Sequence, residues 1–359
     1  MAASPSEMTE LRLDRETIAA VDRSDLHGDI VGLPEHLRDA LWKVQSAQMR
    51  SWESPGGLIV AGMGGSGVGG VLARAILGDH ASRPILSLRT YGLPAWTTPD
   101  TTVMCASYSG NTEETLACYE AAGALGAKRV AVTSGGELAR LARADGVPVL
   151  PVAGGLQPRA AVAYMTVAAL EVAGLCGAGP RVGSEIDVAA EHLEQLVVEW
   201  GADGPEESEP KTLARALRDS VPVIAGSGIT QAVAYRWKTQ LNENAKLPAF
   251  THELPELDHN ELVGWEDAPS LGRFAGIFLD DSDTPPRVKQ RIALTRELIA
   301  DKATGTFVVQ SRGHTAVERI FSLVLLGDLL SLYVAVLRGV DPTPVAAIEQ
   351  LKARLAEDD

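Results

Sequence analysis

Glu243 ends a helix-like stretch between two amides, Asn242 and Asn244, rather than on a regular charged face. His259 follows in the polar segment Gln240–Glu261, within Asp258-His-Asn, and an imidazole near neutrality suits proton transfer at an oxygen. Far upstream stand a glycine-rich run, GMGGSGVGG (62–70), and a hydroxyl-rich one, SYSGNTEET (107–115). Arg159, after a Gly-Gly turn and Pro158, brings a charge that cannot be lost and suits a developing oxyanion. One base, one imidazole and two anion-cradling loops are the parts needed to move a proton within a phosphorylated sugar. Each also has a plainer reading: a solvated helix glutamate, an exposed histidine, a helix-start arginine paired with a carboxylate.

The glycine run follows an apolar stretch and opens a helix. Successive glycines let backbone approach an anion, and a helix start offers unpaired N–H groups, so Gly64, Gly65 and Ser66 are candidate phosphate ligands. A nucleoside-triphosphate loop would need a lysine after its last glycine, and none follows. A dinucleotide site would need an acidic residue at the end of the next strand, where ILSLRTYG supplies Arg89. Tight strand–helix packing is the competing explanation of the glycines. Ser107, Ser109 and Thr112 put three hydroxyls at the carboxyl end of another strand, where open α/β sheets bind ligands; Thr112 as a mere helix cap is the alternative. Together the loops predict a phosphate pocket of hydroxyls and amides rather than lysines.

The elements that must position these residues are legible as alternation. GLIVAGMG (57–64), ILSLRT (85–90), TVMCASYS (102–109), RVAVTS (129–134) and VPVLPV (147–152) read as buried strands. Helical stretches lie between them: Val71–Leu77, Thr112–Leu125 and Gly136–Ala144, with the apolar Ala160–Leu175 closing the unit. The pattern restarts with VPVIAGSG (221–228), a helix from about Thr230 to Lys246, LPAFTH (247–252), FAGIFLDD (274–281) and GTFVVQS (305–311). Strands fed by helices at this spacing imply parallel sheets covered on both faces. The expected fold is therefore α/β, with two doubly wound, mainly parallel sheets flanked by helices. GLIVAGMGGSG and VPVIAGSGIT resemble each other, so the halves read as an internal duplication. The expected divisions are an N-terminal segment (1–29), a first domain with the phosphate loops (30–200), an acidic linker or loop (201–211) and a second domain with C-terminal helices (212–359).

Composition narrows the partners. The 359 residues carry a formal charge of −15, which argues against a nucleic acid or an anionic membrane as partner. Cys105, Cys118 and Cys176 have neither metal-ligand nor disulfide spacing, which points to a reducing cytoplasm. The N-terminus lacks a basic start followed by an apolar stretch, so no signal peptide is expected. The most apolar run, Phe321–Leu337, is interrupted by Gly327 and Asp328 and reads as a buried core helix rather than a membrane span.

GMGGSGVGG followed by SYSGNTEET resembles the sugar isomerase (SIS) domain, a phosphosugar-binding α/β module. From about residue 30 onward the chain resembles the bifunctional phosphoglucose/phosphomannose isomerase family. Its marks are Gln157-Pro-Arg159, the Asn-Glu-Asn-Ala-Lys run at 242–246 and Glu-Leu-Asp-His-Asn-Glu at 256–261. The resemblance implies an aldose–ketose isomerase acting on glucose 6-phosphate, mannose 6-phosphate or both, toward fructose 6-phosphate. Glu243 would be the base that shuttles the proton, and Arg159 would steady the enediolate. His259 would promote ring opening in the adjacent subunit's site, which implies a homodimer, and Lys352, in the helix Pro344–Leu355, would lie near the ring oxygen. No cofactor and no metal are implied. In some relatives a C-terminal threonine is thought to admit both epimers; Thr343 is the only hydroxyl residue after position 340. The runner-up is a non-catalytic phosphosugar-binding regulator, but no basic helix-turn-helix is present and Glu243 with His259 would have no purpose in one. A glucosamine-phosphate synthase half would need an ammonia-supplying domain, for which no segment is seen.

Overall fold

The computed structural model describes residues 11–355 and 357; the start of the chain, on which the signal-peptide expectation and part of the 1–29 segment fall, lies outside the described residues. All nine expected strands form. β1 (Leu58–Ala61), β2 (Ile85–Leu88), β3 (Thr102–Ala106), β4 (Lys128–Thr133) and β5 (Val149–Pro151) make one sheet of order β2-β1-β3-β4-β5. β6 (Val221–Gly226), β7 (Phe250–Glu253), β8 (Phe274–Asp280) and β9 (Gly305–Gln310) make a second, of order β7-β6-β8-β9. Every pairing in both sheets is parallel. In both sheets the first strand lies between the second and third, so β6 occupies the place of β1 and β8 that of β3. β1 and β3 are buried along their whole length, as the continuous apolar runs require of strands covered on both faces.

Three helices, α1 (Arg15–Val21), α2 (Leu26–Val31) and α3 (Leu33–Ser46), precede the first sheet. The sequence reading does not anticipate them. α4 (Gly64–Leu77), α5 (Glu113–Leu125) and α6 (Gly136–Ala144) follow β1, β3 and β4, and α7 (Val162–Leu175) and α8 (Gly183–Trp200) close the half. α4 begins at Gly64, about two turns before the Val71 suggested by the glycine content. Packing explains this. A Cβ on Gly69 would lie 2.5 Å from the Met165 backbone of α7, so only glycine allows the two helices to meet there. The packing explanation thus accounts for the later glycines of the run and leaves Gly64, with open space around it, for another use.

The second half contains α9 (Glu209–Leu217), α10 (Ile229–Asn244), α11 (Glu261–Gly264), α12 (Ala268–Leu271), α13 (Pro286–Ile299), α14 (Ala316–Leu337) and α15 (Ala346–Leu355). Residues 201–211 do not behave as a loose tether. Lys211 is fully buried and donates to the carbonyls of Ala202 (3.1 Å) and Gly204 (2.9 Å), which ties the turn to the start of α9. α14 is long and apolar enough to cross a membrane, but from Val317 to Leu337 it is buried in protein, against α8, α9 and α10. The two residues that interrupt its apolar run are those that receive α10. A Cβ on Gly327 would collide with Trp237 Nε1 at 2.1 Å, and Asp328 pairs with Arg236.

Candidate active site

The turns that end β1, β3 and β4 are knitted around Tyr108. Ser66 Oγ accepts from the Tyr108 N–H (3.0 Å), and Ser134 Oγ donates to the Tyr108 carbonyl (2.6 Å). Tyr108 Oη accepts from Leu156 N (2.9 Å), which ties in the Gln157-Pro-Arg159 turn as well. Asp29 on α2 takes the N–H of Gln157 (3.2 Å). The sequence reading missed Tyr108 and Asp29. Tyr108 lies inside a motif read for its hydroxyl residues, whereas nothing in the sequence marks Asp29.

No side chain caps α4; the Ser66 N–H bonds the Met63 carbonyl (3.0 Å), the N–H groups of Gly64 and Gly65 are left for an anion, and Gly64 takes φ +51° at a point with open space around it. Thr112 is the cap residue of α5, yet its hydroxyl does not bond the helix. It meets Ser107 Oγ at 2.8 Å, while Ser107 Oγ also accepts from Gly110 N (3.0 Å). Ser109 is exposed and accepts from Asn111 N (3.3 Å). All six expected phosphate ligands thus lie on the turns at the carboxyl ends of β1 and β3, where an anion would meet hydroxyls, amides and the α4 dipole.

Arg159 lies directly behind this loop: a Cβ on Gly65 would be 2.8 Å from Pro158 O and 2.9 Å from Arg159 Cα. The arginine side chain is 4% exposed and its Nη1 is 3.6 Å from Glu243 Oε2, which comes from the other half of the chain. Burial works against the Arg159 charge, and the Glu243 carboxylate supports it. An arginine keeps its proton under that pressure. Asn244 Oδ1 accepts from Arg159 Nε (2.6 Å), and the carbonyls of Pro342 and Thr343 accept from Nη2 (2.9 and 3.1 Å). Lys246 adds a second cation: its Nζ donates to Glu243 O (2.6 Å) and Pro342 O (2.8 Å), and burial, then Arg159, lower its pKa. Asn244 and Lys246 stand in the very run singled out around Glu243; their polarity was visible, but not their partners. Thr343 Oγ1 is buried without a hydrogen-bond partner.

Among the described residues, no hydrogen bond or ion pair joins His259 or Lys352 to this cluster. His259 ends a short 3₁₀ turn, Glu256–His259, and is exposed. Asp258 beside it is held by Arg291 (3.0 Å) and Thr295 (2.8 Å) on α13, which pins the turn and leaves the imidazole outside. Lys352 lies on α15, none of whose residues is buried.

The turn after β8, in the place that Ser107–Thr112 holds after β3, is acidic. Asp280 accepts from Gln310 Nε2 (2.6 Å), and Arg319 of α14 donates to Asp281 (3.0 Å) and Asp283 (2.5 Å).

Residues 206–355 match the model of the bacterial phospho-glucose isomerase C-terminal SIS domain. Over 333 residues the chain is 39% identical to the bifunctional phosphoglucose/phosphomannose isomerase of Caldicellulosiruptor bescii, covering 91% of this chain and 98% of that protein. The enzyme of the same name from Aquifex aeolicus is 34% identical over 301 residues, 83% of this chain and 90% of its own. Among solved structures, a hypothetical protein from Thermus thermophilus superposes with a TM-score of 0.72 at 16% identity, over 98% of this chain and 94% of that one; at that identity the likeness shows the fold alone.

Proposed function

Because this chain belongs to the bifunctional phosphoglucose/phosphomannose isomerase family, we propose that it interconverts glucose 6-phosphate, mannose 6-phosphate or both with fructose 6-phosphate through an enediol. The observation that carries this reading is the meeting of Arg159 and Glu243 across the two halves, directly behind the turn that holds Gly65. In this mechanism the 6-phosphate sits against Gly64, Gly65, Ser66, Ser107, Ser109 and Thr112. The carboxylate of Glu243 takes the proton from C2 of the aldose and returns it to C1. The enediolate oxygen charge that develops between those steps faces Arg159 Nη1. A regulator would need the phosphate turns but not a carboxylate set opposite a buried guanidinium. Thr343, whose carbonyl accepts from Arg159 and whose buried hydroxyl is unpartnered, would be the residue that tolerates either C2 epimer. The test is a coupled assay with each aldose 6-phosphate, with and without chelator. Failure to convert either would sink the proposal.

We further take residues 30–200 and 212–359 as two SIS domains, and the working unit as a cytoplasmic homodimer. Free, buried thiols at Cys105, Cys118 and Cys176 support a reducing compartment. His259 and Lys352 would act in ring opening, His259 in the neighbouring subunit's site. Its outward placement supports this, as do Val263 (67% exposed) and Leu271 (76%), apolar side chains on the same excursion. Glu243→Gln and His259→Ala homodimers should each be nearly inactive. After statistical subunit exchange about a quarter of wild-type activity should return, because half the protein is heterodimer with one whole site in two. No recovery despite demonstrated exchange would mean that His259 serves its own chain or none.

A further inference from the structure

We propose that Asn244 is a positioning residue that fixes which edge of the Arg159 guanidinium faces the reacting carbons, an inference that rests on the isomerase reading above. A guanidinium has five N–H donors. Three are consumed by the protein: Nε on Asn244 Oδ1 at 2.6 Å, and Nη2 on the carbonyls of Pro342 and Thr343. The two on Nη1 are left, and Nη1 faces Glu243 at 3.6 Å, too far for a hydrogen bond between them. The free edge of the arginine therefore points to where the base works.

Asn244 can do this because its own orientation is forced. Nε–H only donates, so it must meet the amide oxygen of Asn244. The amide nitrogen then donates to Ser331 Oγ (2.9 Å), whose hydroxyl proton goes to Asp328 O (2.8 Å). The Asp328 carboxylate holds Arg236 at Nε (3.0 Å) and Nη2 (2.6 Å), and Arg236 Nη2 donates to the carbonyl of Arg159 (2.9 Å). The ring closes on Arg159, gripping both its backbone and its side chain from α10 and α14. Every member is buried: Arg159 4%, Arg236 1%, Asn244 0%, Asp328 4% and Ser331 0% exposed. Buried polar groups with all partners in place define a single geometry, and none of these can turn without orphaning another.

The test is a double-mutant cycle read by binding, so that it does not depend on residual turnover. The probe is 5-phospho-D-arabinonate, whose carboxylate stands where the enediolate charge develops; inorganic phosphate serves as the control for the loops. Asn244→Ala should weaken the arabinonate about tenfold and leave inorganic phosphate within about twofold of wild type. In an Arg159→Lys background, which has no Nε–H to orient, the same substitution should cost less than about twofold. Should Asn244→Ala fail to fold, Ser331→Ala carries the same cycle. It removes the acceptor of the Asn244 amide N–H and loosens its hold, and its smaller loss must likewise vanish beside Lys at 159. Equal losses in both backgrounds would overturn the positioning role while leaving the isomerase reading intact. A wild-type protein that neither binds the arabinonate nor converts either 6-phosphate would overturn both.

Discussion

Gly65→Ala isolates the contact between the phosphate turn and the Arg159 turn. The new Cβ would lie 2.8 Å from Pro158 O, 2.9 Å from Arg159 Cα and 3.1 Å from Pro158 C. Carbon–carbon contacts settle near 3.5–4.0 Å, so one turn must retreat by roughly 0.6–1 Å. All three obstacles are backbone, and no rotamer change relieves them. The Arg159 turn is also held from behind by Asp29 at Gln157 N and by Tyr108 at Leu156 N. Overpacking of this kind costs about 1–3 kcal/mol of stability. A shift of about 1 Å in a catalytic group costs on the order of 10²-fold in turnover. Gly64→Ala is the matched comparison. Nothing lies within 4 Å of its Cβ, but φ of +51° imposes a strain of about 1–2 kcal/mol on a side-chain-bearing residue. The two variants should therefore lose comparable stability in thermal melts. In steady-state assays with the better 6-phosphate, Gly65→Ala should lose kcat by about 10²-fold, whereas Gly64→Ala should change mainly KM. Near-normal kcat in folded Gly65→Ala would refute the argument that this contact sets the position of Arg159.

Other outcomes follow from the same geometry. Glu243→Gln keeps shape but not proton affinity, so kcat should fall by ~10²–10⁴-fold with 5-phospho-D-arabinonate still bound; near-normal turnover removes Glu243 from the mechanism. Ser109→Ala should act mainly through KM, by the ~0.5–3 kcal/mol of one hydrogen bond to a charged group; equal turnover of free hexoses and their phosphates would show that the pocket is misread. His27 and His36 both have pKa values lowered by burial, and His27 Nε2 and His36 Nδ1 have no hydrogen-bond partner. The folded state thus holds fewer protons than the unfolded one, whose histidines titrate near 6.5. Stability is full above that pH and declines as pH falls through it toward the folded-state values, by up to about 1.4 kcal/mol per pH unit for each histidine. Urea midpoints at pH 7.5 and 5.5 measure this; a His27→Gln/His36→Gln protein with an undiminished pH slope would assign the effect elsewhere.

Strands such as β1, β3 and β8 were legible because a buried parallel strand must be a short apolar run, and few other elements look like one; the half-exposed β7 (Phe250–Glu253) is not such a run, and LPAFTH marks it three residues early. The start of α4 was not legible, because glycines that lower helix propensity let α7, β1 and neighbouring turns approach, and a sequence does not display its neighbours. The phosphate turns and the pair Arg159 and Glu243 could be named from motifs. That they meet across the halves, with Asn244 and Lys246 completing the cluster, depends on how α10 packs. Asp328 shows the limit most clearly: along the chain it looks like an interruption of an apolar helix, and in space it is the partner of Arg236.

The two sheets share a strand order but not an occupant. In the first half the turn after β3 offers hydroxyls; in the second the turn after β8 offers Asp280, Asp281 and Asp283, with Arg319 already spent on two of them. Carboxylates at that turn would repel phosphate, so under the proposed function each chain would have one seat for the anion, although it has two copies of the framework that builds seats. The copy without a seat supplies something else: the helix that follows its first strand runs across to the other copy and carries Glu243 in its last turn. In the proposed mechanism one half holds the substrate's inert end and the other works on its reactive end. On that reading the two copies divide one task as the subunits of a heterodimer would, but within one covalent chain.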